Sequence, residues 1–209
     1  MKPVLVTYVT MSGSTVDVAN TVAEEIAKQG LPVETLPLAK VNDLSEYSAI
    51  VLGAPMAMGW HHSAIKFLEQ NRQALQGIPL AIFAMAVSLT WMGETEVCGV
   101  PVCLDTNLGK LPHKPGRLSF KESFTSLNHY AAPIIKAATP GSPISIAFFG
   151  GRMDYKRLKL PALLFVKFVI QARECDLRNW GLIRSWTREL LSGFSVTCDV
   201  PANTLVRTA

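Results

Sequence analysis

A near-continuous apolar run that ends in hydroxyls constrains this chain more than any other stretch. Val4-Leu5-Val6-Thr7-Tyr8-Val9 leads directly into Thr10-Met11-Ser12-Gly13-Ser14-Thr15, and helical spacing begins at once, with Val18, Val22 and Ile26 four apart. The pattern predicts a buried strand, a tight loop and a helix N-terminus, which is where an open α/β sheet binds an anion. Thr10, Ser12, Ser14 and Thr15 supply hydroxyls, and Gly13 permits a turn with its amides facing inward. The loop holds no lysine, so it is not a Walker A site, and a single glycine does not make a dinucleotide fingerprint. The plainer alternative is a capped helix after a buried strand, with Asp17 an ordinary first-turn acid.

The following segments repeat the theme. Gly30 and Pro32 end the first helix near Gln29. Val33–Leu38 reads as a short strand interrupted by Pro37, and Ala49–Gly53 as a strand apolar on both faces, as in a covered parallel sheet. After the loop at 54–62, a helix is expected with Ser63 as N-cap and Ile65, Leu68, Arg72 and Leu75 along it. Pro79–Ala86 is the fourth strand and Pro143–Gly150 the fifth. Between them, 90–142 reads as a long excursion, rich in Gly and Pro to Leu118; a long structureless loop inside a compact domain is expected only where it is functional. Ser119–Ala138 regains partial helical character, with Pro133 expected to kink or break it. Leu160–Ala172 is strongly apolar, Trp180–Leu191 is a final amphipathic helix, and the last residues form a tail.

Alternating strands and helices predict an α/β fold: a five-stranded parallel sheet in the order 2-1-3-4-5, with helices on both faces. Residues 1–193 would form one domain, with 90–142 inserted in it, followed by a tail at 194–209. In that order the loops after strands 1, 3 and 4 share one rim: Thr10–Thr15; Pro55, Met56, Ala57, Gly59 and Trp60; and Ala86, Val87 and Ser88. Met56, Met58 and Trp60 can form flat or polarizable walls for a ring system, or they can be core filler and a surface-packed aromatic. His61 and His62 can be helix-start residues with no chemical role.

Composition removes several function classes. Hydrophobic residues make up 49% and charged residues 17%, yet no uncharged stretch approaches the ~20 residues that span a bilayer. The start has no basic region before an apolar segment and cleavage site, so secretion is not expected. Cys98, Cys103, Cys175 and Cys198 form no CxxC pair and are expected to be reduced thiols in the cytoplasm. Cys98, Cys103 and His113 match no zinc spacing, so no metal is expected. A net charge of +4 without a basic cluster on a recognisable module gives nucleic acid no support.

The loop Thr10-x-Ser12-Gly13-x-Thr15 resembles the FMN-phosphate loop of flavodoxins. Gly53-Ala54-Pro55-Met56-Ala57-Met58-Gly59-Trp60-His61-His62-Ser63-Ala64 resembles the segment after strand 3 in the branch related to menaquinone-dependent protoporphyrinogen oxidase. So do Gly150-Gly151-Arg152-Met153-Asp154-Tyr155 and Asp176-Leu177-Arg178-Asn179-Trp180. The resemblance covers roughly 4–90 and 143–191. It implies non-covalent FMN and electron transfer from a reduced, protoporphyrinogen-like donor to a quinone, in the cytoplasm or peripherally on the inner face of the cell membrane. Arg152, Lys156 and Arg157 could pair with substrate carboxylates or form a solvated basic turn. The excursion is longer and differently composed than the oxidase's. An electron carrier docking on protein partners is the alternative; such flavodoxins are usually strongly acidic, whereas this chain has a pI near 8.9. A homo-oligomer stays open.

Overall fold

The computed structural model describes residues 1–56, 59–153 and 175–198. The expectations for Ala57, Met58, the basic turn at 154–159, the apolar segment Leu160–Ala172 and the tail beyond Cys198 lie outside these residues.

A seven-stranded sheet forms the centre. Its first four members are β1 (Val4–Tyr8), β2 (Val33–Pro37), β3 (Ala49–Pro55) and β4 (Leu80–Ala86). The rest are β6 (Glu96–Val97), β7 (Val100–Leu104) and β9 (Ser145–Gly150). The order is β2-β1-β3-β4-β9-β7-β6, and every pair is parallel except β6 with β7. The expected 2-1-3-4-5 core is present, with β9 in fifth place, and the excursion adds two strands at its edge. The long loop anticipated between strands 4 and 5 is therefore largely structured. It also contains the short parallel pair β5 (Leu89–Thr90) and β8 (Gly109–Lys110) and a capped helical turn, α3 (Phe120–Ser123).

Helices cover both faces because β3, β4 and β9 are apolar on both sides. On one face, α1 (Ser14–Lys28) and α5 (Trp180–Cys198) pack Val18, Val22, Ile26, Ile183, Trp186 and Leu190 onto Val6, Val51, Phe83 and Phe149. On the other, α2 (His62–Gln70) and α4 (Leu127–Ala138) press Leu68, Ala131 and Ile134 onto Ile50, Leu52, Ile82 and Phe148. Four boundaries differ from the sequence reading. Helix α2 stops at Gln70, short of Arg72, and Leu75 lies in a separate 3-10 turn at Ala74–Gly77. The N-cap of α2 is His61, whose Nδ1 accepts the Ser63 amide at 3.3 Å, and not Ser63. Pro133 lies inside α4 without ending it, because the buried stripe of Tyr130, Ala131, Ile134 and Ile135 holds both halves on the core. Helix α5 continues past Leu191 to Cys198, with Phe194 still buried.

Candidate functional site

Parallel register sets the rim. Tyr8 lies opposite Gly53, and Pro55 opposite Met85, so β1, β3 and β4 end along one edge. Val9 donates to the Gly53 carbonyl at 2.9 Å and Met56 to the Met85 carbonyl at 2.9 Å, which carries the pairing into the loops.

The first loop is built by its hydroxyls. Thr10 Oγ1 accepts the Gly13 amide at 2.9 Å, and Gly13 is left-handed at φ 89°, a conformation that a side chain would strain. Gly13 caps α1 without a side-chain hydrogen bond, and its carbonyl receives Val16 at 3.2 Å. Among the described residues, the amides of Ser12, Ser14 and Thr15 donate to nothing. Thr15 is fully buried and its Oγ1 has no hydrogen-bond partner, whereas Met11 stands exposed and Ser12 is half-buried. Unspent donors at a helix N-terminus, together with a buried hydroxyl that has no protein partner, fit a bound anion at this loop.

The second loop is tighter. Met56 and Trp60 face each other across an antiparallel bridge, and Gly59 at φ 133° makes the return. Pro55 is half-buried at the edge, and Met56 belongs to the core. Trp60 is half-buried; its indole N–H donates to the Tyr130 carbonyl at 2.6 Å, and its ring lies 6.2 Å from that of Phe148. The tryptophan is thus fixed to α4 by its polar edge, which holds its position whatever occupies the rim. Burial, and secondarily His62, lowers the pKa of His61, consistent with its acceptor role at the α2 cap.

The third loop begins at buried Ala86, passes through exposed Val87 and half-buried Ser88, and enters β5. The Ala86 carbonyl accepts the Gly151 amide at 2.7 Å, so the turn after β9 joins the rim. Here lies the part that sequence reasoning left without a role. A Cβ on Gly150 would sit 1.8 Å from the Leu177 carbonyl oxygen, and Leu177 donates to the Gly151 carbonyl at 3.1 Å. The segment before α5 therefore closes over β9, helped by a short antiparallel pair, β10 (Arg152–Met153) with β11 (Cys175–Asp176). Beside it, Arg178 bonds Asp176 through Nε at 2.8 Å and Asp17 through Nη1 at 2.8 Å, and lies 4.7 Å from the Trp180 ring centroid. The hydrogen bond to Arg178 lowers the Asp176 pKa, and its bonds to the carboxylates raise that of Arg178. Two acids already match this cation, so the anion site keeps its hydroxyl-and-amide character. The Asp-Leu-Arg run was the sequence signal, but its partner Asp17 is 161 positions away.

Hydroxyls and free amides at a helix N-terminus, on the carboxyl edge of a doubly wound parallel sheet, define a phosphate-binding α/β protein. The flavodoxin domain family model matches residues 5–176, and the chain belongs to that family. Its cofactor is FMN, whose terminal phosphate suits the donors at Ser12, Ser14 and Thr15. Among solved structures, a short-chain flavodoxin associated with a non-canonical PDU bacterial microcompartment is similar at TM-score 0.52 and 13% identity, covering 93% of this chain and 99% of that one. A flavodoxin of Streptococcus pneumoniae TIGR4 gives TM-score 0.51 and 12% identity over 91% and 98%. The rubredoxin oxygen:oxidoreductase of Desulfovibrio gigas gives TM-score 0.48 and 13% identity over 96% of this chain; the chain spans only 38% of that protein. No curated protein matches the chain.

Proposed function

We propose that this flavodoxin-domain protein is an FMN-dependent oxidoreductase that takes electrons from a reduced organic donor, protoporphyrinogen-like in chemistry, and passes them to a quinone at the inner face of the cell membrane. Bound FMN supplies the two-electron relay, and the chain's own residues hold and shield it. The observation that carries the reading is the Thr10–Thr15 loop, with its orphaned Thr15 hydroxyl and undonated amides on the carboxyl edge. The donor and acceptor classes rest on the resemblance of the segments at 53–64, 150–155 and 176–186 to the oxidase branch. A carrier for basic protein partners would need an acidic docking face. The excursion that follows the third rim loop instead exposes Lys110, Lys114 and Arg117, and the whole chain has a pI near 8.9.

The test is anaerobic flavin spectroscopy on the FMN-loaded protein. Protoporphyrinogen should bleach the visible flavin band faster than it bleaches free FMN, and a naphthoquinone should restore it. If neither reagent reacts faster than with free FMN while a redox protein does, the carrier function replaces this one.

A further inference from the structure

The excursion gathers its large exposed side chains at one place. Relative exposure is 83% for Phe120, 78% for Leu111, 49% for Phe124 and 44% for Met92. Strand β5 starts just beyond the carboxyl edge of β4, pairs with β8 and holds the neighbouring segments together. Trp91 donates to the Lys110 carbonyl at 3.0 Å, and Thr90 to the Thr125 carbonyl at 2.7 Å. The Thr90 and Thr125 hydroxyls meet at 2.8 Å, and the His113 amide reaches Glu122 Oε1 at 2.7 Å. Residues 91–92, 110–113 and 120–125 are thereby tied into one surface, on which the rings of Phe120 and Phe124 meet edge to face at 4.9 Å.

This surface carries both signs of charge, and its carboxylates and cations are engaged differently. Two nearby acids are spent on the protein's own backbone: Glu94 Oε2 accepts the Met92 amide at 2.7 Å, and Glu122 accepts His113 and Ser119, each at 2.7 Å. Lys110, Lys114 and Arg117 are exposed and have no carboxylate partner among the described residues. Met11 and Val87, from the first and third rim loops, are also exposed.

We propose that this apolar and cationic surface of the excursion docks on an anionic lipid bilayer. Exposed large apolar side chains on the same segment as cations without a carboxylate partner suit a layered partner, with headgroup phosphates outside and acyl chains beneath. A soluble anion would satisfy the cations and leave Phe120 and Leu111 in water, whereas a bilayer takes both. The long stems of Lys110, Lys114 and Arg117 let the charges stay at headgroup depth while the rings enter. The surface belongs to a segment that starts at the cofactor rim, so docking brings that rim towards a quinone dissolved in lipid. That purpose rests on the proposed acceptor; the binding itself does not, and is measured without turnover.

The experiment is co-sedimentation of the full, FMN-loaded chain with vesicles of phosphatidylcholine alone or mixed with phosphatidylglycerol. Two double variants are compared, Leu111→Ser with Phe120→Ser, and Lys114→Glu with Arg117→Glu, with circular dichroism and bound flavin confirming that each is folded. Wild type should bind the anionic vesicles, losing affinity as salt rises, and each pair should weaken binding at least tenfold. Absent binding, or binding indifferent to both pairs, overturns the proposal. Loss with the charge pair alone overturns the insertion of the apolar side chains. A wild-type dimer that the serine pair converts to monomer, without vesicle binding, makes the surface a contact between two copies and also overturns it. Failure of donor or quinone reactivity, with vesicle binding intact, bears on the proposed function only.

Discussion

The guanidinium of Arg178 donates to Asp17 Oδ2 at 2.8 Å, tying the first turn of α1 to the segment that covers the end of β9. Arg178 is the most buried member of its cluster, its side chain 7% exposed, whereas Asp17 and Asp176 are each more than two-fifths exposed. The bond connects the helix that presents the anion loop to the piece of chain that closes over Gly150 and Gly151. Burial of a charge is tolerated here because both carboxylates and the Trp180 ring receive it.

Replacing Arg178 with methionine should lower stability at pH 7 by about 1–3 kcal/mol, the range for losing charge-assisted hydrogen bonds to half-exposed acids. Lysine should rescue little, since an ammonium cannot reproduce the planar fork. The sign with pH follows from Asp176, whose folded pKa lies below its ordinary value of 3.8. Its contribution is present above that value and is lost as pH falls through the lower folded pKa. Urea unfolding at pH 7 and at pH 3 should therefore show a smaller gap between wild type and variant in acid. An equal gap at both would remove the Asp176 pairing as its source.

Gly53 should not accept a side chain. A Cβ there would stand 2.1 Å from the Phe83 ring, which is fully buried with Phe149 and Trp186 rings within 6.3 Å of its centroid. The ring has no room to retreat, so Gly53→Ala should cost about 1–3 kcal/mol. Because the Gly53 carbonyl accepts Val9 at the start of the anion loop, FMN affinity should fall as well. Gly77→Ala is the control: nothing lies within 4 Å of its Cβ position. Thermal melts that treat the two variants alike would contradict the packing.

Removing the Ser12 and Thr15 hydroxyls together should weaken FMN binding at least tenfold, since hydrogen bonds to a charged group are worth ~1.5–3 kcal/mol each. Thr15→Ala alone should leave the melting temperature of the apoprotein unchanged or slightly raised, because its buried Oγ1 bonds nothing there. Flavin fluorescence titration reads the first effect and calorimetry the second. Unchanged affinity in the double variant would move the phosphate elsewhere.

The sequence was most legible where a strand is buried on both faces. Val4–Val9, Ala49–Gly53, Pro79–Ala86 and Pro143–Gly150 are continuous or near-continuous apolar runs, and each is a central strand or contains one. β7 was missed because Val100-Pro101-Val102-Cys103-Leu104 carries a proline, which argues against an internal strand. The structure resolves the conflict through register: pairing with β9 begins at Val102, so Pro101 owes no amide to that neighbour. Trp60 was ambiguous for a different reason. A loop tryptophan that follows two methionines fits a flavin wall or a packing anchor equally, and its bond to the Tyr130 carbonyl comes from a helix 70 positions later. Arg178 shows the same limit, since no local pattern marks a partnership with Asp17.

The excursion should open before the sheet does, and Glu122 is where to see it. Its carboxylate closes the capping box with Ser119 and also holds the His113 amide, joining α3 to the loop that bears Lys114 and Arg117. These bonds lower its pKa to about 2, Ser119 contributing most and His113 next. A depressed folded pKa means that the carboxylate's contribution is complete above its ordinary value of 4.5 and is lost as pH falls towards about 2. Glu122→Gln keeps one acceptor oxygen and loses the charge, so it can serve one of the two backbone amides but not both. Amide exchange at His113 or at Ser119, whichever the glutamine oxygen leaves unbonded, should then quicken at least tenfold at neutral pH, with strands β1, β3 and β4 unaffected. Local opening without global loss is expected because α3 is a single exposed turn, whereas those strands carry the two cores. Exchange that accelerates across the sheet as well would make the excursion part of one cooperative unit and sink this prediction.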